Sequence, residues 1–174
     1  MNSAQSDLHR LLNPKAIAVV GASNRQGSVG RIIFERLVPS LRRLYPVHPD
    51  EASLLGHEVV AAIADLPEGI DLAVIATGAA AAVAATEACA VHGIPFIIIV
   101  AGGFGETGAR GEQREQRLKA VRQQTGCRIL GPNSLGIFVP AERLDTLFVE
   151  HGDKALSRGG GVAFISQSGS VGVE

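Results

Sequence analysis

The part of the chain best suited to chemistry is the segment AVVGASNRQGSVGR, which covers residues 18–31. An apolar run ends there at Gly21, and small or polar residues continue up to the start of a helical pattern. The backbone N–H groups of a glycine-rich turn, together with a helix N-terminus, form a site for anions. Ser23 and Ser28 add hydroxyl groups, and Arg25 adds positive charge. The segment therefore predicts a site for the phosphates of a nucleotide.

The spacing of the glycines does not identify that nucleotide. It reads G-x-x-x-x-x-G-x-x-G from Gly21 to Gly30, which is longer than the G-x-G-x-x-G of dinucleotide-binding proteins. Those proteins also place an acidic residue at the tip of the second strand, where it binds ribose hydroxyls. Here the tip reads Val47-His48-Pro49, and Asp50 and Glu51 lie beyond it. The pattern disfavours NAD, although either carboxylate could still serve.

The elements that must position this segment are short apolar runs that alternate with helical stretches. Strands are predicted at residues 16–20, 44–47, 71–77, 95–101 and 127–130. Helices are predicted at residues 8–12, 27–38, 78–93 and 106–126. This alternation predicts an α/β fold with a doubly wound parallel sheet. Ligands of such sheets bind outside the carboxyl ends of the strands, where the glycine-rich segment and the loops at 77, 101–104 and 131–138 would meet.

Composition excludes several classes of function. The net charge of −1 leaves no basic face for nucleic acid, and 4% aromatic residues are too few to stack single strands. Cys89 and Cys127 lie in apolar surroundings without metal-ligand spacing, which predicts buried free thiols and no metal site. The first residues lack an apolar signal core, and no apolar run reaches membrane-spanning length. We expect a cytoplasmic protein that contacts neither nucleic acid nor a membrane.

The remaining polar residues have simpler interpretations. None of the five histidines lies in a glycine-rich loop beside a carboxylate partner, so no catalytic residue is predicted in this chain. We expect His48 to lie near a ligand and histidines such as His57 to be solvated. The charged segment 106–122 is interpreted as a solvent-exposed helix face.

The end of the chain predicts a second domain. Residues 151–161 are polar and glycine-rich, which is typical of a linker. A strand at residues 162–166 and the start of a helix follow, with nothing to pack against. Because exposed apolar strands rarely end a domain, we expect a piece of a longer protein. Its parts would be one domain at 1–150, the linker, and the truncated start of a second α/β domain at 162–174.

The order of the motifs along the chain resembles that of a known protein family. The segments AIAVVGAS, GSVG, YPVHP, DLAVIAT, IIIVAGGFGETG, GPNSLGI and GGGVAFISQSGSVG follow one another from about Leu12 to Glu174. In this order they resemble the N-terminal part of the nucleoside-diphosphate-forming acyl-CoA synthetases, relatives of the succinyl-CoA synthetase α subunit. The resemblance implies a Rossmann-like first domain that binds coenzyme A rather than NAD, followed by a flavodoxin-like domain.

The resemblance also implies a role for each loop. The glycine-rich segment would hold the CoA phosphates, the tip of the second strand would line the adenosine side, the next two strand ends would flank the pantetheine arm, and GPNSLG would lie near the thiol. With Arg25 added from its charge, the implied residues are Gly21, Ala22, Ser23, Arg25, Gln26, Gly27, Ser28, Val47, His48, Pro49, Thr77, Ala101, Gly102, Gly103, Asn133 and Ser134.

The chain departs from the family pattern at three positions. His48 replaces the usual Asn, Asp50 stands where Lys is frequent, and Ser134 stands where Cys is common. A carboxylate at Asp50 would repel the 3′-phosphate of CoA, whereas Ser134 keeps the polarity of its position but removes a thiol.

The segment ISQSGSVG resembles the turn that opens the second domain of the family. A helix N-terminus there receives the phosphate of a phosphohistidine, and the residues implied here are Ser166, Ser168, Gly169 and Ser170. An ordinary N-cap at Ser168 or Ser170 is the alternative. The phosphorylated histidine itself would lie beyond this chain.

The whole enzyme implied by the resemblance would make acyl-CoA from a carboxylic acid, CoA and ATP. ATP, ADP and Mg would bind only in the full-length enzyme, whose partners would be the remaining synthetase domains or a β-type ATP-grasp subunit, with a homo-oligomer as a further expectation. Two alternatives stay open: a CoA-sensing regulatory domain of a synthetase–acetyltransferase fusion, and an NAD(P)-binding domain of an oxidoreductase or redox sensor.

Overall fold

The computed structural model describes residues 3–149 of the chain. Within this range the α-helices are α1 (Ser3–Leu12), α2 (Val29–Leu37), α3 (Ala79–Val91) and α4 (Ala109–Thr125). The strands are β1 (Ala16–Val20), β2 (Arg43–Val47), β3 (Ser53–Leu54), β4 (His57–Glu58), β5 (Leu72–Ile75), β6 (Phe96–Ile99), β7 (Arg128–Leu130), β8 (Phe138–Val139) and β9 (Leu144–Asp145). Short 3₁₀ helices cover Val38–Ser40, Ile63–Asp65, Gly105–Thr107 and Pro140–Glu142.

Five of these strands form one parallel sheet in the order β2-β1-β5-β6-β7. From β1 the chain moves outward to β2, and it then returns to the other side of β1 to add β5, β6 and β7. The direction of winding therefore reverses between β1 and β5. This confirms the predicted Rossmann-like, doubly wound parallel sheet, and it places the ligand crevice of the fold at the carboxyl ends of β1 and β5.

The three central strands of the sheet, β1, β5 and β6, are buried at every position, which explains why they are apolar throughout. In β1, Ala16, Ala18 and Val20 pack in the layer that α3 and α4 cover. The alternate residues Ile17 and Val19 pack in the layer that α2 covers. Since successive side chains of a strand point to opposite faces, a strand covered on both sides is apolar at every position.

Glycines set several element boundaries. Gly93 and Gly126, with φ of +87° and +75°, end α3 and α4 as predicted. Helix α2 begins two residues later than predicted, because Gly27 has a left-handed φ of +71° and Ser28 is the N-cap. Helix α4 begins at Ala109, because Gly108 has a φ of +77° and separates it from the 3₁₀ turn before it.

The small hairpin of β8 and β9 covers part of the α2 face, where Leu144 is fully buried, and the sequence did not predict it. Cys89 and Cys127 are buried free thiols, as predicted. No helix within residues 3–149 is long and apolar enough to cross a membrane.

Candidate ligand site at the carboxyl edge of the sheet

The glycine loop, residues 21–28, connects β1 to α2 at the carboxyl edge of the sheet. Gly21 has a φ of +89°, and its N–H donates to the carbonyl of Val47 at 2.9 Å. A β-carbon at Gly21 would lie 2.8 Å from Cγ2 of Thr77, and one at Gly30 would lie 2.2 Å from the carbonyl oxygen of Gly21. The start of the loop is therefore pressed between the end of β5 and the first turn of α2, where larger residues do not fit.

The other end of the loop presents the N-terminus of α2. Ser28 is the N-cap, but its hydroxyl makes no hydrogen bond to the helix backbone and lies 3.5 Å from the hydroxyl of Ser23. The first N–H groups of a helix have no intrahelical acceptor and carry partial positive charge. A β-carbon at Gly27 would meet nothing within 4 Å, so the space beside the loop is open. Hydroxyl and N–H donors thus face a space that an anion could occupy.

Asn24 holds the middle of the loop, a role that no local sequence pattern indicates. Its backbone N–H donates to Oε1 of Glu51 at 2.9 Å, and its Nδ2 donates to Oε2 of Glu51 at 2.6 Å and to the carbonyl of Ser53 at 2.8 Å. The backbone and side-chain hydrogen bonds from Asn24 lower the pKa of Glu51. Both oxygens of Glu51 thus face the loop, which weakens the idea that this carboxylate binds a ribose.

The tip of β2 lies beside the loop, as predicted. The segment after β4 pairs with it, since His48 N–H donates to the carbonyl of Val60 at 3.1 Å and Val60 N–H donates to the carbonyl of Pro46 at 2.9 Å. The N–H of Asp50 donates to Nδ1 of His48 at 3.2 Å. Pro49 and Asp50 are exposed. The residues from Val47 to Pro49 therefore form a fixed wall next to Gly21.

Thr77 marks the point where the winding of the sheet reverses. Its γ-methyl group lies against Gly21, since a β-carbon added to Gly21 would lie only 2.8 Å from it. Its hydroxyl oxygen is buried and has no hydrogen-bond partner within the described part of the chain. A buried hydroxyl without a partner is unusual and calls for an explanation such as a ligand or water.

The loops after β6 and β7 join each other on the far side of Thr77. Asn133 N–H donates to the carbonyl of Ala101 at 2.9 Å, and Ser134 N–H donates to the carbonyl of Ile99 at 3.2 Å. A β-carbon at Gly102 would lie 3.5 Å from Oδ1 of Asn133. One at Gly103 would lie 3.1 Å from Cβ of Ala79. These contacts bring the predicted residues of the two loops together.

Charged residues of α4 hold the loop after β6. Gly105 N–H donates to Oε1 of Glu115 at 2.9 Å, and Nη1 of Arg114 donates to the carbonyl of Gly103 at 2.6 Å. Gly103 N–H also donates to Glu106, and this hydrogen bond is the main cause of a lowered Glu106 pKa. Most of the helix is exposed as predicted, but the interpretation of its charges as purely solvated is wrong for these residues.

The prediction that His57 is solvated is also wrong. Its ring packs edge-on against Phe34, with the ring centroids 5.2 Å apart and the planes at 87°. His57 is partly buried there. The contact joins two residues that are distant in the sequence, so no local pattern indicates it.

We call the space bordered by these loops the carboxyl-edge crevice. Its borders are the glycine loop (21–28), the β2 tip (47–49), Thr77, the β6 loop (101–103) and Asn133 with Ser134. The predicted phosphate-binding residues Ser166, Ser168, Gly169 and Ser170 lie outside the described residues, as do the predicted linker at 151–161 and the strand at 162–166.

Comparison with known proteins gives a family match. The family described as "CoA binding domain" matches residues 15–140. A trans-feruloyl-CoA synthase from an unknown prokaryotic organism is 36% identical over 171 residues, which are 97% of this chain and 24% of that protein. The α subunit of the ADP-forming acetate–CoA ligase II of Pyrococcus furiosus is 33% identical over 166 residues, which are 95% of this chain and 35% of that subunit.

A solved structure has the same fold. It is the dinucleotide-forming acetyl-coenzyme A synthetase 1 of Ca. Korarchaeum cryptofilum in complex with phosphate and ADP. It matches with a TM-score of 0.83 and 35% identity, over 95% of this chain and 35% of that one. The chain thus spans only 24% to 35% of the length of these relatives.

Proposed function

This chain belongs to the CoA-binding domain family, and from that membership we propose that its carboxyl-edge crevice binds coenzyme A. The phosphates of CoA would contact the glycine loop, its adenosine the β2 tip, its pantetheine arm the ends of β5 and β6, and its thiol the loop after β7. The residues proposed for these contacts are Gly21, Ala22, Ser23, Arg25, Gln26, Gly27, Ser28, Val47, His48, Pro49, Thr77, Ala101, Gly102, Gly103, Asn133 and Ser134.

The observation that carries this proposal is the set of donors in the crevice that no backbone group of the chain uses. The Ser28 hydroxyl contacts Ser23 but caps nothing in its own helix, and the Thr77 hydroxyl is buried without a partner among the described residues. The N-terminus of α2, directly after Ser28, favours negative charge. A ligand with phosphates at one end and a polar, extended arm suits this arrangement, because both kinds of donor would then be satisfied.

We propose that the loops contribute by positioning rather than by chemistry. Bound CoA supplies the thiol that becomes the thioester. The hydrogen bonds that Arg114, Glu115 and Glu106 make with the β6 loop keep this wall of the crevice in one conformation. Holding a nucleophile in a defined place lowers the entropic cost of its reaction.

We further propose that the full-length protein is an acyl-CoA ligase that forms a nucleoside diphosphate. It would convert a carboxylic acid, CoA and ATP to acyl-CoA, ADP and phosphate through a phosphohistidine outside this chain. Relatives named as ADP-forming ligases support this. ATP, Mg and the catalytic histidine would belong to the remaining synthetase domains or to a β-type ATP-grasp subunit, in a cytoplasmic assembly that could include further copies of this chain.

In this proposal, residues 1–150 form the CoA-binding domain. Residues 151–161 are a linker and residues 162–174 open the second, flavodoxin-like domain. Ser166, Ser168, Gly169 and Ser170 would bind the phosphate carried by the histidine. The resemblance of their segment to the family motif supports this assignment.

The decisive experiment is calorimetric titration of the 174-residue chain with CoA, with NAD⁺ and NADH as comparators. We expect CoA to bind in the micromolar range and the dinucleotides not to bind. Binding of NADH without CoA would replace the proposal by the oxidoreductase alternative. Ligase assays of the full-length protein would then separate an active synthetase from a CoA-sensing regulatory fusion.

A matched pair of variants locates the phosphate site. Ser28→Ala should weaken CoA binding about tenfold or more, which is the effect of one lost hydrogen bond to a charged group. Ser40→Ala is the control, because it also removes a serine hydroxyl, but one that lies away from the crevice, before β2, and is buried without a partner among the described residues. Equal CoA affinities of the two variants would contradict the phosphate assignment.

A further inference from the structure

Asn24 and Glu51 form a pair that the proposed CoA contacts do not include. They are 27 positions apart in the sequence, and two hydrogen bonds of 2.9 Å and 2.6 Å join them. Asn24 also donates to the carbonyl of Ser53 at 2.8 Å, and its own carbonyl accepts from Nη1 of Arg31 at 3.3 Å. This exposed residue is thus tied to two other parts of the chain, the β2–β3 segment and α2.

The position of the pair within the loop gives it a mechanical role. The two ends of the glycine loop are fixed by burial and by backbone hydrogen bonds, since Ala22 is fully buried and Ser28 N–H donates to the carbonyl of Arg25 at 3.2 Å. The middle of the loop, residues 24–27, is exposed. Exposed backbone is ordered only as far as its hydrogen bonds hold it. Asn24 provides the contacts from this exposed stretch to the β2–β3 segment.

We propose that Asn24 and Glu51 are positioning residues that hold the glycine loop in the conformation in which it binds phosphates. The inference rests on the proposed function, because it takes the loop to be a phosphate site. Neither residue needs to touch the ligand. The pair excludes other conformations of residues 24–27 before the ligand binds. The ligand then does not have to order this part of the loop at the expense of its own binding free energy.

Glu51 also places a negative charge near the proposed phosphate site. Its carboxylate is oriented toward Asn24 and not toward the phosphates. Both carboxylate oxygens of Glu51 accept hydrogen bonds from Asn24. Arg31, which donates to the carbonyl of Asn24 and to Glu35, adds positive charge on the same side of the loop. A variant that breaks the pair therefore loses loop order and, if it leaves Glu51 unpaired, also exposes the ligand phosphates to repulsion.

The test exchanges donor and acceptor between the two positions. Glu51→Gln keeps an acceptor for the Asn24 N–H but places an amide opposite Nδ2, and Asn24→Asp places two carboxylates opposite each other. Each single variant should weaken CoA binding by roughly three- to tenfold, as expected when one hydrogen bond of typical net strength is lost. The double variant N24D/E51Q restores a carboxylate–amide pair with the wild-type net charge but not the hydrogen bond to the Ser53 carbonyl, so it should recover part of the affinity that Asn24→Asp loses.

Glu87→Gln is the control for the change of charge. Glu87 pairs with Arg117 on the exposed surface, between α3 and α4, and takes no part in the crevice. The CoA affinity of the Glu87→Gln variant should equal that of wild type. The proposal is overturned if the single variants bind CoA like wild type, or if the double variant binds no better than Asn24→Asp.

Amide hydrogen exchange gives a readout that needs no ligand. In the wild-type chain the Asn24 N–H should exchange slowly although the residue is exposed, and Glu51→Ala, which removes its acceptor, should speed that exchange about tenfold or more. Unchanged exchange would overturn the inference. If the wild-type chain exchanges as expected but does not bind CoA, the proposed function fails while the loop-ordering role of the pair stands.

Discussion

At the scale of single residues, the hydroxyl of Thr77 is the most informative group in the crevice. Burying a hydroxyl without a hydrogen-bond partner costs free energy, so a chain optimised only for stability would carry an apolar residue there. The γ-methyl of Thr77 already packs against Gly21, and valine has the same shape. The difference between threonine and valine at this position therefore isolates the hydroxyl.

We predict opposite effects of Thr77→Val on stability and on binding. The free energy of unfolding of the free protein should stay the same or rise by about 1 kcal/mol, because a buried, unpaired hydroxyl is removed. CoA binding should weaken about three- to tenfold, because the ligand loses a donor or acceptor. Urea denaturation and calorimetric titration measure the two effects.

Thr86→Val is the matched control for this substitution. Thr86 is fully buried in α3, and its hydroxyl donates to the carbonyl of Ala82 at 2.7 Å, away from the crevice. Its CoA affinity should not change. If Thr77→Val binds CoA as tightly as Thr86→Val does, the hydroxyl of Thr77 plays no part in the site.

At the scale of elements, the packing of α2 onto the end of β1 depends on one missing side chain. A β-carbon at Gly30 would lie 2.2 Å from the carbonyl oxygen of Gly21, and neither backbone can retreat without moving the loop. Gly30→Ala should therefore destabilise the fold by about 1–3 kcal/mol, as overpacking does, and should weaken CoA binding as well. Chemical denaturation and titration check the two effects.

Gly78→Ala is the control for Gly30→Ala. Gly78 has an ordinary negative φ of −63°, and a β-carbon there meets nothing within 4 Å. Its effect on the free energy of unfolding should stay within about 0.5 kcal/mol. Similar losses in the two variants would show that the contact between α2 and the loop is not the cause.

The opposite edge of the sheet depends on Asp71, which ties α1 and β1 to the start of β5. Its carboxylate accepts from Nε of Arg10 at 2.6 Å and from the N–H groups of Lys15 and Ala16 at 2.8 Å and 3.3 Å. Burial raises the pKa of Asp71, but these hydrogen bonds together outweigh burial and hold the pKa below its usual value. The folded state therefore binds the proton less readily than the unfolded state.

The sign of the pH dependence follows from this lowered pKa. The stabilisation by Asp71 is fully present above the pKa of the unfolded chain, about 3.9, and is lost as the pH falls through the lower pKa of the folded state. Asp71→Asn should cost about 1–3 kcal/mol at pH 7, and its deficit against wild type should shrink below about pH 4. Urea denaturation followed by circular dichroism at several pH values measures this. A deficit that stays constant down to pH 2 would contradict the role of the charge.

At the scale of the whole molecule, the reactivity of the two cysteines measures how often the folded domain unfolds. Cys89 is fully buried and Cys127 is 4% exposed. Burial, with a smaller contribution from the nearby Cys127, raises the pKa of Cys89 to about 12. Because thiol reagents attack the exposed thiolate, native Cys89 should react only when the domain unfolds.

We therefore predict that thiol labelling is slow and that CoA slows it further. A ligand at 100 times its Kd stabilises the folded state enough to reduce the open population about 100-fold. The labelling rate by Ellman's reagent should fall by the same factor, while NAD⁺ at equal concentration should have no effect. Rapid labelling of the free protein would show that the α3–α4 layer opens locally.

The sequence by itself determined the layered α/β architecture and the position of the glycine loop. The central strands β1, β5 and β6 are short apolar runs, because a strand that is covered on both faces is apolar at every position. The glycine loop is recognisable from turn-forming residues that lie close together in the sequence, such as Gly21 and Gly27. Both signals are local, so one sequence is sufficient to interpret them. The boundaries that shifted, at the starts of α2 and α4, lie at glycines whose left-handed φ the spacing alone did not indicate.

Only the tertiary structure decided how the site is held together. The pairing of Asn24 with Glu51, the reach of Arg114 and Glu115 to the β6 loop, and the contact of Gly21 with Thr77 all join residues that are distant along the chain. No periodicity or neighbouring residue signals such contacts, because they arise from the order in which parallel strands align their carboxyl ends. The types of the predicted binding residues are therefore local properties of this sequence, whereas their order and rigidity are properties of the folded sheet.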